Sequence, residues 1–243
     1  MPKQNRAKVQ FQDLGLIDYQ KAWDYQTQVH QALIDVKIQN RESAKNGQKT
    51  VEQRHTLLFC EHPPVYTLGK SGSLDHLLLD ELALNEGGFS FHKINRGGDI
   101  TYHGPGQIVG YPIFDLDCFM RDVHIYVRSL EEVIIKTLAE YDINGMRIEK
   151  YTGVWIEPIG SKEPFRKIAA IGVHLSRWVT LHGFALNVQP ALNHFSNIIP
   201  CGISDDSKDV TSMAKELGHE VDINEVKEKL KVHFKDIFEF EWE

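Results

Sequence analysis

The sequence predicts an α+β protein, with a mixed β-sheet and helices packed on it. Short apolar runs of strand length recur along the chain, and two longer segments carry apolar residues at helical spacing. A third helical pattern, rich in charge, closes the chain. At 243 residues the chain is long enough for one sizeable core.

The first quarter of the chain predicts four elements in order: a strand over Val9–Leu14, a helix from Asp18, a polar surface loop over 39–54, and a strand over Thr56–Cys60. Asp18 is a good N-cap, and the apolar residues behind it are Ala22, Val29, Leu33 and Val36. The loop lacks periodicity and contains Asn46-Gly47. Pro63-Pro64 stops the strand, so His62 lies where the chain leaves the sheet.

The rest of the chain predicts strands over Phe89–Ile94, Ile108–Phe114, Val154–Glu157, Ile168–Leu175 and Val179–Val188. A helix is predicted over Asp122–Tyr141, and another is capped at Asn224 with Val226, Leu230, Phe234 and Phe238 on one stripe. We therefore expect a main domain over 1–207 and a small helical C-terminal part over 208–243, packed on the same domain.

The amino-acid composition argues against some classes of binding partner. The net charge is −7 and no Lys/Arg block occurs, which argues against nucleic acid or an anionic membrane as the main partner. No run of about 18 apolar residues predicts a membrane helix, and the N-terminus predicts no secretory signal. Three widely spaced cysteines fit a reducing compartment, so we expect a cytoplasmic protein.

A glycine-rich segment, Arg96–Gln107, lies between two predicted strands. Its four glycines allow the backbone to approach a ligand closely. It lacks the Gly-Lys-Ser/Thr of a phosphate-binding P-loop, and Val109 stands where a dinucleotide fingerprint needs glycine or alanine. The alternative is a tight hairpin in which His103 has only a structural role.

Lys167 opens a strand whose alternation puts it on the same face as Ala169, Ile171 and Val173. Such neighbours would desolvate the ammonium and lower its pKa toward a value useful for proton transfer. The alternative is that Lys167 marks an exposed strand end and reaches water.

Cys201 lies between proline and glycine, on a rigid turn that suits a presented nucleophile. Cys60 lies in an apolar run, and Cys118 follows acidic residues that would raise a thiol pKa. A silent structural role for Cys201 stays open.

Twelve histidines raise the question of a metal, yet no zinc-binding spacing occurs. His174 and His182, eight apart on neighbouring predicted strands, are too weak a signal. We predict no metal and no cofactor. No Gly-x-Ser-x-Gly elbow supports serine hydrolysis.

Five segments in this order resemble the lipoyl(octanoyl) transferase family: Glu61–Gly69, Arg96–Gln107, Thr152–Trp155, Lys167–Ala169 and Pro200–Gly202. The resemblance runs from about residue 10 to about residue 220. It implies a fold similar to the catalytic domains of biotin and lipoate protein ligases. The segments 39–54 and 158–166 are longer than the family pattern.

The resemblance implies that residues 1–207 form an acyltransferase domain. This domain would move an octanoyl group from octanoyl-acyl carrier protein to a lysine of an apo lipoyl domain, in the H protein or in E2 subunits of 2-oxoacid dehydrogenases. Cys201 matches the family nucleophile, and Lys167 matches its acid/base partner. The implied substrate-binding residues are His62, Tyr66, Arg96, Gly97, Gly98, His103, Gly104, Gly106, Ala170, Ile171, Gly172 and Gly183.

Three alternatives remain. An ATP-dependent lipoate or biotin ligase of the same fold resembles Arg-Arg-x-x-Gly-Gly-Gly, whereas here Gly97-Gly98 follow the single Arg96. A non-catalytic protein could bind acyl carrier or lipoyl domains, although it has no need of Cys201. A thioesterase would resolve the same acyl-enzyme with water.

Overall fold

A computed structural model describes residues 6–160, 163–199 and 208–243. Its strands are β1 (Lys8–Leu16), β2 (His55–Glu61), β3 (Val65–Leu68), β4 (Ser90–Lys93), β5 (Ile100–His103), β6 (Gln107–Ile113), β7 (Gly145–Ile148), β8 (Tyr151–Ile156), β9 (Phe165–Ser176), β10 (Val179–Asn187), β11 (Lys208–Val210) and β12 (Glu241–Trp242). Its helices are α1 (Tyr19–Lys45), α2 (Glu81–Glu86), α3 (Val123–Ala139), α4 (Met213–Leu217) and α5 (Ile223–Phe238).

Nine of the described strands form one large mixed sheet in the order β12-β1-β2-β6-β10-β9-β8-β7, with β11 on β9. The remaining three form a small sheet in the order β4-β3-β5. On one face of the large sheet, α3 and α5 cover the main hydrophobic core. On the other face, Leu33 and Ile34 of α1 pack against β2 and β6.

Most of the predicted elements are present. The side chain of Asp18 accepts a hydrogen bond from the Lys21 amide at 3.1 Å, which confirms the predicted N-cap of α1. Val226, Leu230, Phe234 and Phe238 are all buried in the main core, as their helical spacing predicted.

Two boundary predictions were wrong. The segment 39–54 is not all loop, because α1 continues to Lys45. Its last turns are polar residues with good helix propensity, and Lys45 pairs with Glu42 at 2.7 Å, so no apolar stripe is needed there. The cap of α5 is Asp222, which accepts from the Asn224 amide, and not Asn224 itself.

The small sheet is the feature that sequence patterns did not predict as a whole. The stretch Val65–Leu68 directly follows Pro63-Pro64, and Ile100–His103 lies inside the glycine-rich segment. These strands are only four residues long, too short for periodicity to stand out beside strong turn residues.

The C-terminal residues join the same core. The pair β12 and β1 is parallel, with Lys8 opposite Glu241. Phe240 is completely buried in the main core. No helix among the described residues has both the length and the apolar character needed to cross a membrane.

Candidate active site

A cavity of about 470 Å³ lies on the α1 side of the large sheet, under the loop that joins β4 to β5. Its floor is made of small residues on two paired strands. Ala170 of β9 is opposite Ala185 of β10, and Gly172 is opposite Gly183. The short side chains of the alanine pair leave space above the sheet, and a cavity remains there. At Gly172 the Gly97 carbonyl oxygen and Cδ of Arg96 come within 3 Å of the position that a Cβ would occupy.

A register shift between β8 and β9 brings Lys167 to this cavity. Val154 pairs with Ala169, but the next residue, Trp155, pairs with Lys167, so β9 has one extra residue here. Lys167 therefore lines the cavity together with Ala170. The predicted face was wrong for Ala169, which is buried in the main core on the other side.

The Lys167 side chain lies against an aromatic ring. Its Nζ is 4.5 Å from the ring centroid of the buried Trp155, within the range of a cation–π interaction. The indole Nε1 donates to the Tyr151 carbonyl at 3.2 Å, which fixes the plane of the ring. The ammonium is thus held at one end of the cavity.

Buried hydrogen bonds fix His103 on the opposite wall. Its Nδ1 lies 2.7 Å from Oε1 of Gln107, an acceptor, so Nδ1 carries the proton. Its Nε2 lies 3.4 Å from Oγ1 of Thr67. That hydroxyl in turn accepts from Nη2 of Arg96 at 3.0 Å.

The same network reaches the large sheet. Gln107 Nε2 donates to Oδ1 of Asn187 at 2.9 Å, and Asn187 Nδ2 donates to the Thr211 carbonyl at 2.9 Å. The Thr211 amide donates to the Lys167 carbonyl at 3.0 Å. The positions of His103 and Lys167 are therefore coupled through a continuous set of satisfied polar groups.

Three buried histidines at the site are held neutral. Burial, with the neighbouring His62 as a smaller cause, lowers the pKa of His103 to about 3. Burial likewise lowers the pKa of His62 to about 4 and that of His182 to about 3. These imidazoles can orient groups by hydrogen bonding, but they are poor proton acceptors at neutral pH.

Nine of the fourteen predicted site residues line the cavity, and the nine are Arg96, Gly97, Gly98, His103, Lys167, Ala170, Ile171, Gly172 and Gly183. Four others do not appear in its lining: His62, Tyr66, Gly104 and Gly106. Cys201 lies outside the described residues.

The four predicted residues behind the wall support it. The amide of Gly106 donates to Oε2 of Glu61 at 2.8 Å, and its φ of +84° favours glycine. A Cβ at Gly106 would lie 2.5 Å from the Gln189 carbonyl oxygen, so the two chain segments could not meet there. The Tyr66 hydroxyl donates to the His194 carbonyl at 2.9 Å, within the 3₁₀ turn Leu192–Asn197.

Several polar residues of the lining were not among the predicted site residues, and they include Tyr19, Gln107, Tyr111, His182 and Asn187. Alternation along β6 could have found two of them, because Gln107 and Tyr111 share a face with Val109. Tyr19 is the first residue of α1, and no local pattern marks it.

The described residues contain no group of three or more His, Cys, Asp or Glu side chains arranged to hold a metal ion. Arg96 and Lys167 instead supply positive charge to the cavity wall. A wall of this kind suits a reaction in which negative charge develops on oxygen or sulfur.

Residues 18–235 match the family model of the lipoyl protein ligase A/B catalytic domain. The chain belongs to this family. A relative from Cytophaga hutchinsonii named octanoyltransferase is 54% identical over 241 residues, which cover 98% of this chain and 96% of that protein. The octanoyltransferase of Flavobacterium psychrophilum is 57% identical, covering 95% of this chain and 97% of that protein. The resemblance drawn from the five motifs is confirmed.

Solved structures of this family share the fold. A putative lipoate protein ligase from T. acidophilum superimposes with a TM-score of 0.67 at 15% identity, covering 97% of this chain and 87% of that one. Lipoate-protein ligase A bound with ATP gives a TM-score of 0.67 at 15% identity, over 98% of this chain and 87% of that one. The predicted α+β fold of the lipoate ligase type is confirmed.

Proposed function

We propose that this protein is an octanoyltransferase that moves an octanoyl group from octanoyl-acyl carrier protein to a lysine of an apo lipoyl domain. The acyl group is carried in between as a thioester on Cys201. The acceptors are the H protein and the E2 subunits of 2-oxoacid dehydrogenases. The reaction takes place in the cytoplasm, where the three cysteines stay reduced.

The observation that carries the proposal is a cavity floored by alanine and glycine with a lysine ammonium at one end. Burying an acyl chain of seven methylene or methyl units contributes up to about 5 kcal/mol at the usual increment. The relatives named octanoyltransferase, aligned over nearly the whole chain, support the same reaction.

The chain on both sides of residues 200–207 reaches this cavity. Phe195, in the 3₁₀ turn before them, and Val210, in β11 after them, both contribute to its lining. β11 pairs with β9 so that Val210 is opposite Lys167. These anchors support a meeting of Cys201 with Lys167.

The first half-reaction exchanges one thioester for another. The Cys201 thiolate attacks the octanoyl carbonyl, a C–S bond forms, and the C–S bond to the carrier breaks. Lys167 takes the thiol proton of Cys201 and delivers it to the departing carrier sulfur. Because one thioester replaces another, no ATP is needed to reach the acyl-enzyme.

In the second half-reaction the acceptor lysine attacks the Cys201 thioester as a neutral amine. An amide C–N bond forms and the bond to Cys201 sulfur breaks. Lys167 accepts the proton that the amine loses and returns it to the leaving thiolate. A backbone N–H group at the reacting carbonyl stabilises the oxyanion, and loss of one such donor costs on the order of 3 kcal/mol. The Gly106 amide is not that donor, because it donates to Oε2 of Glu61 at 2.8 Å.

Intact mass spectrometry tests the nucleophile. After incubation with octanoyl-carrier, the wild-type protein gains one octanoyl mass and the Cys201→Ala variant gains none. Cys118→Ala is the matched control, because Cys118 is an exposed free cysteine whose pKa is raised to about 11 by partial burial and by Asp115. An adduct that survives Cys201→Ala would overturn the assignment.

The same assay tests Lys167. Lys167→Arg keeps the charge but cannot release a proton at neutral pH, so turnover falls by about 100-fold or more. Lys136→Arg, on the exposed side of α3, is its control. Normal turnover of Lys167→Arg would remove the acid/base role.

Product analysis separates the alternatives. Transfer to the lipoyl domain from octanoyl-carrier without ATP supports the transferase. Transfer only from free octanoate with ATP would identify a ligase. Release of free octanoate at the expense of acylated domain would identify a thioesterase.

A further inference from the structure

The cavity floor consists of three rows of residues that are paired across neighbouring strands. The first row is polar, and the second and third rows are apolar. Strand pairing places Asn187 opposite Gln107 in the first row, at the Lys167 end of β9. Ala185 is opposite Val109 in the second row. The third row contains the pair Gly172 and Gly183.

Tyr111 of β6 lies beside the third row of the floor. It lies two residues beyond Val109 on β6, on the same face, and it lines the cavity although it is only 3% exposed. The floor thus changes from alanine and glycine to a large aromatic ring at this point.

A buried hydrogen-bond chain holds the Tyr111 side chain in place. Nδ1 of His62 lies 2.8 Å from the Ile17 carbonyl oxygen, so this nitrogen carries the proton and donates. Its Nε2 therefore accepts from the Tyr111 hydroxyl, at 2.8 Å. His62 is fully buried and bonded at both ring nitrogens, so the ring of Tyr111 cannot swing away without breaking this chain.

The third row is also covered from above. A Cβ at Gly172 would lie 2.9 Å from Cδ of Arg96, so the aliphatic part of that side chain lies directly over this row. The guanidinium is fixed there, because Nη2 donates to the Thr67 carbonyl at 2.7 Å, and its Nη1 lies 3.4 Å from the same Cβ position. The Gly97 carbonyl oxygen also lies over this row, 2.8 Å from that position. Gly97 and Arg96 therefore close the space above Gly172, and a chain lying on the floor stops at this row.

The distances fit a chain of medium length. The first and third rows are four residues apart, or about 14 Å at about 3.4 Å per residue. An extended octanoyl chain spans about 9 Å with single bonds of about 1.5 Å. A chain whose carbonyl lies near the first row therefore ends between the second row and Tyr111.

We infer that Tyr111, held by His62, forms the closed end of the acyl channel and limits the length of the acyl group that the enzyme accepts. This inference rests on the proposed function and adds to it the residue that sets specificity. It also gives His62 a positioning role from behind the wall.

Chain-length profiles test the inference. Transfer to an apo lipoyl domain is measured with hexanoyl, octanoyl, decanoyl and dodecanoyl carrier as donors. In Tyr111→Leu the ratio of kcat/KM for dodecanoyl over octanoyl rises at least tenfold, because the end wall has been removed. In Tyr111→Phe the ring stays, and the same ratio changes less than threefold.

Two further variants sharpen the test. Tyr126→Leu shortens a fully buried tyrosine of α3 on the opposite side of the sheet and leaves the profile unchanged. Ala185→Val raises the second row and shifts the profile toward hexanoyl at least threefold. If Tyr111→Leu does not fold, Ala185→Val decides, because an unshifted profile would show that the chain does not cross the second row.

Binding of free fatty acids separates the two proposals. Wild-type protein should be stabilised more by octanoate than by dodecanoate in thermal unfolding, and Tyr111→Leu should reverse that order. Octanoyl transfer with an unchanged length profile in Tyr111→Leu would overturn the role of Tyr111 alone. If no donor supports transfer, but Tyr111→Leu still reverses the order of stabilisation by octanoate and dodecanoate, the proposed reaction would be overturned. The role of Tyr111 at the end of the channel would then still hold.

Discussion

The two faces of the large sheet are built from side chains of opposite size. Toward α3 and α5, Phe234 stacks against Phe184 and Phe238, with ring centroids 5.8 and 5.6 Å apart. Toward α1 and the small sheet, the central positions of β9 and β10 are alanine and glycine. One sheet therefore stabilises the fold on one face and leaves room for a substrate on the other.

The polar groups differ between the faces as well. The main core on the α3 and α5 face is built from aromatic and aliphatic side chains, with the fully buried Glu131 of α3 paired to Arg147 at 3.0 Å. The cavity face contains neutral histidines, a buried arginine and amides that satisfy one another. Most residues serve either the stability of the fold or the construction of the site, so substitutions can address the two one at a time. Phe184 is shared, because it belongs to the main core and also lines the cavity.

The largest expected effect is on the packed face. Phe234→Ala removes a ring that is fully buried among three other aromatic rings, so the free energy of unfolding falls by about 3–5 kcal/mol. Denaturant unfolding measures this loss. The chain-length profile of the remaining folded enzyme stays unchanged, and a shifted profile would show that the two faces are not separable.

Acid provides the second test, because the cavity face holds neutral histidines. The pKa of His103 is about 3 in the folded protein and about 6.5 in the unfolded chain, so the unfolded state binds more protons below pH 6.5. The stability that neutral His103 contributes is complete above about pH 6.5 and is lost as the pH falls toward 3. Between pH 7.5 and pH 5.5, His103 accounts for a loss of about 1.4 kcal/mol in the free energy of unfolding.

The measurement compares the free energy of unfolding at pH 7.5 and 5.5 in wild type and variants. His103→Gln reduces the pH-dependent loss by about 1.4 kcal/mol, whatever it does to stability at pH 7.5. His219→Gln, at an exposed histidine, leaves the loss unchanged. An equal pH dependence in wild type and His103→Gln would mean that folding does not lower the pKa of His103.

The packed face was far more predictable from sequence than the cavity face. The stripe from Val226 to Phe238 has a helical period that survives in any context, and the structure buries all of it. The position of Lys167 depends on one extra residue in β9. A prediction based on strand alternation cannot detect such an insertion. Motifs identified Arg96 and His103, but Thr67, which contacts both of them, is distant in sequence. Asn187 is equally distant and holds Gln107, the hydrogen-bond partner of His103.

Tyr111 is a second residue whose place in the cavity could not be predicted from sequence patterns. In the sequence it is one residue of the predicted strand Ile108–Phe114, and nothing local distinguishes it from Val109 or Ile113. Its relation to the cavity depends on Gly183 of the neighbouring strand, on Gly172 one strand further, and on His62 behind it. Short residues on neighbouring strands make a cavity only together, and no single-strand pattern contains that information.

A larger side chain on the cavity floor should have the smallest effect on stability. It should nevertheless have a clear effect on activity. Ala170→Leu adds a side chain into the cavity and disturbs no packed neighbour in the main core, so the free energy of unfolding changes by less than about 1 kcal/mol. Transfer of octanoyl groups falls at least tenfold, because the added side chain occupies space that the acyl chain needs.

Two comparisons make this result decisive. Hexanoyl transfer by Ala170→Leu should fall less than octanoyl transfer, because the shorter chain reaches less far along the floor. Ala139→Leu, at the last residue of α3 and exposed, is the matched control that leaves both activities unchanged. Full octanoyl transfer by Ala170→Leu would mean that the acyl chain does not lie on the alanine and glycine floor. In that case the small residues of β9 and β10 would have to be explained by sheet packing alone.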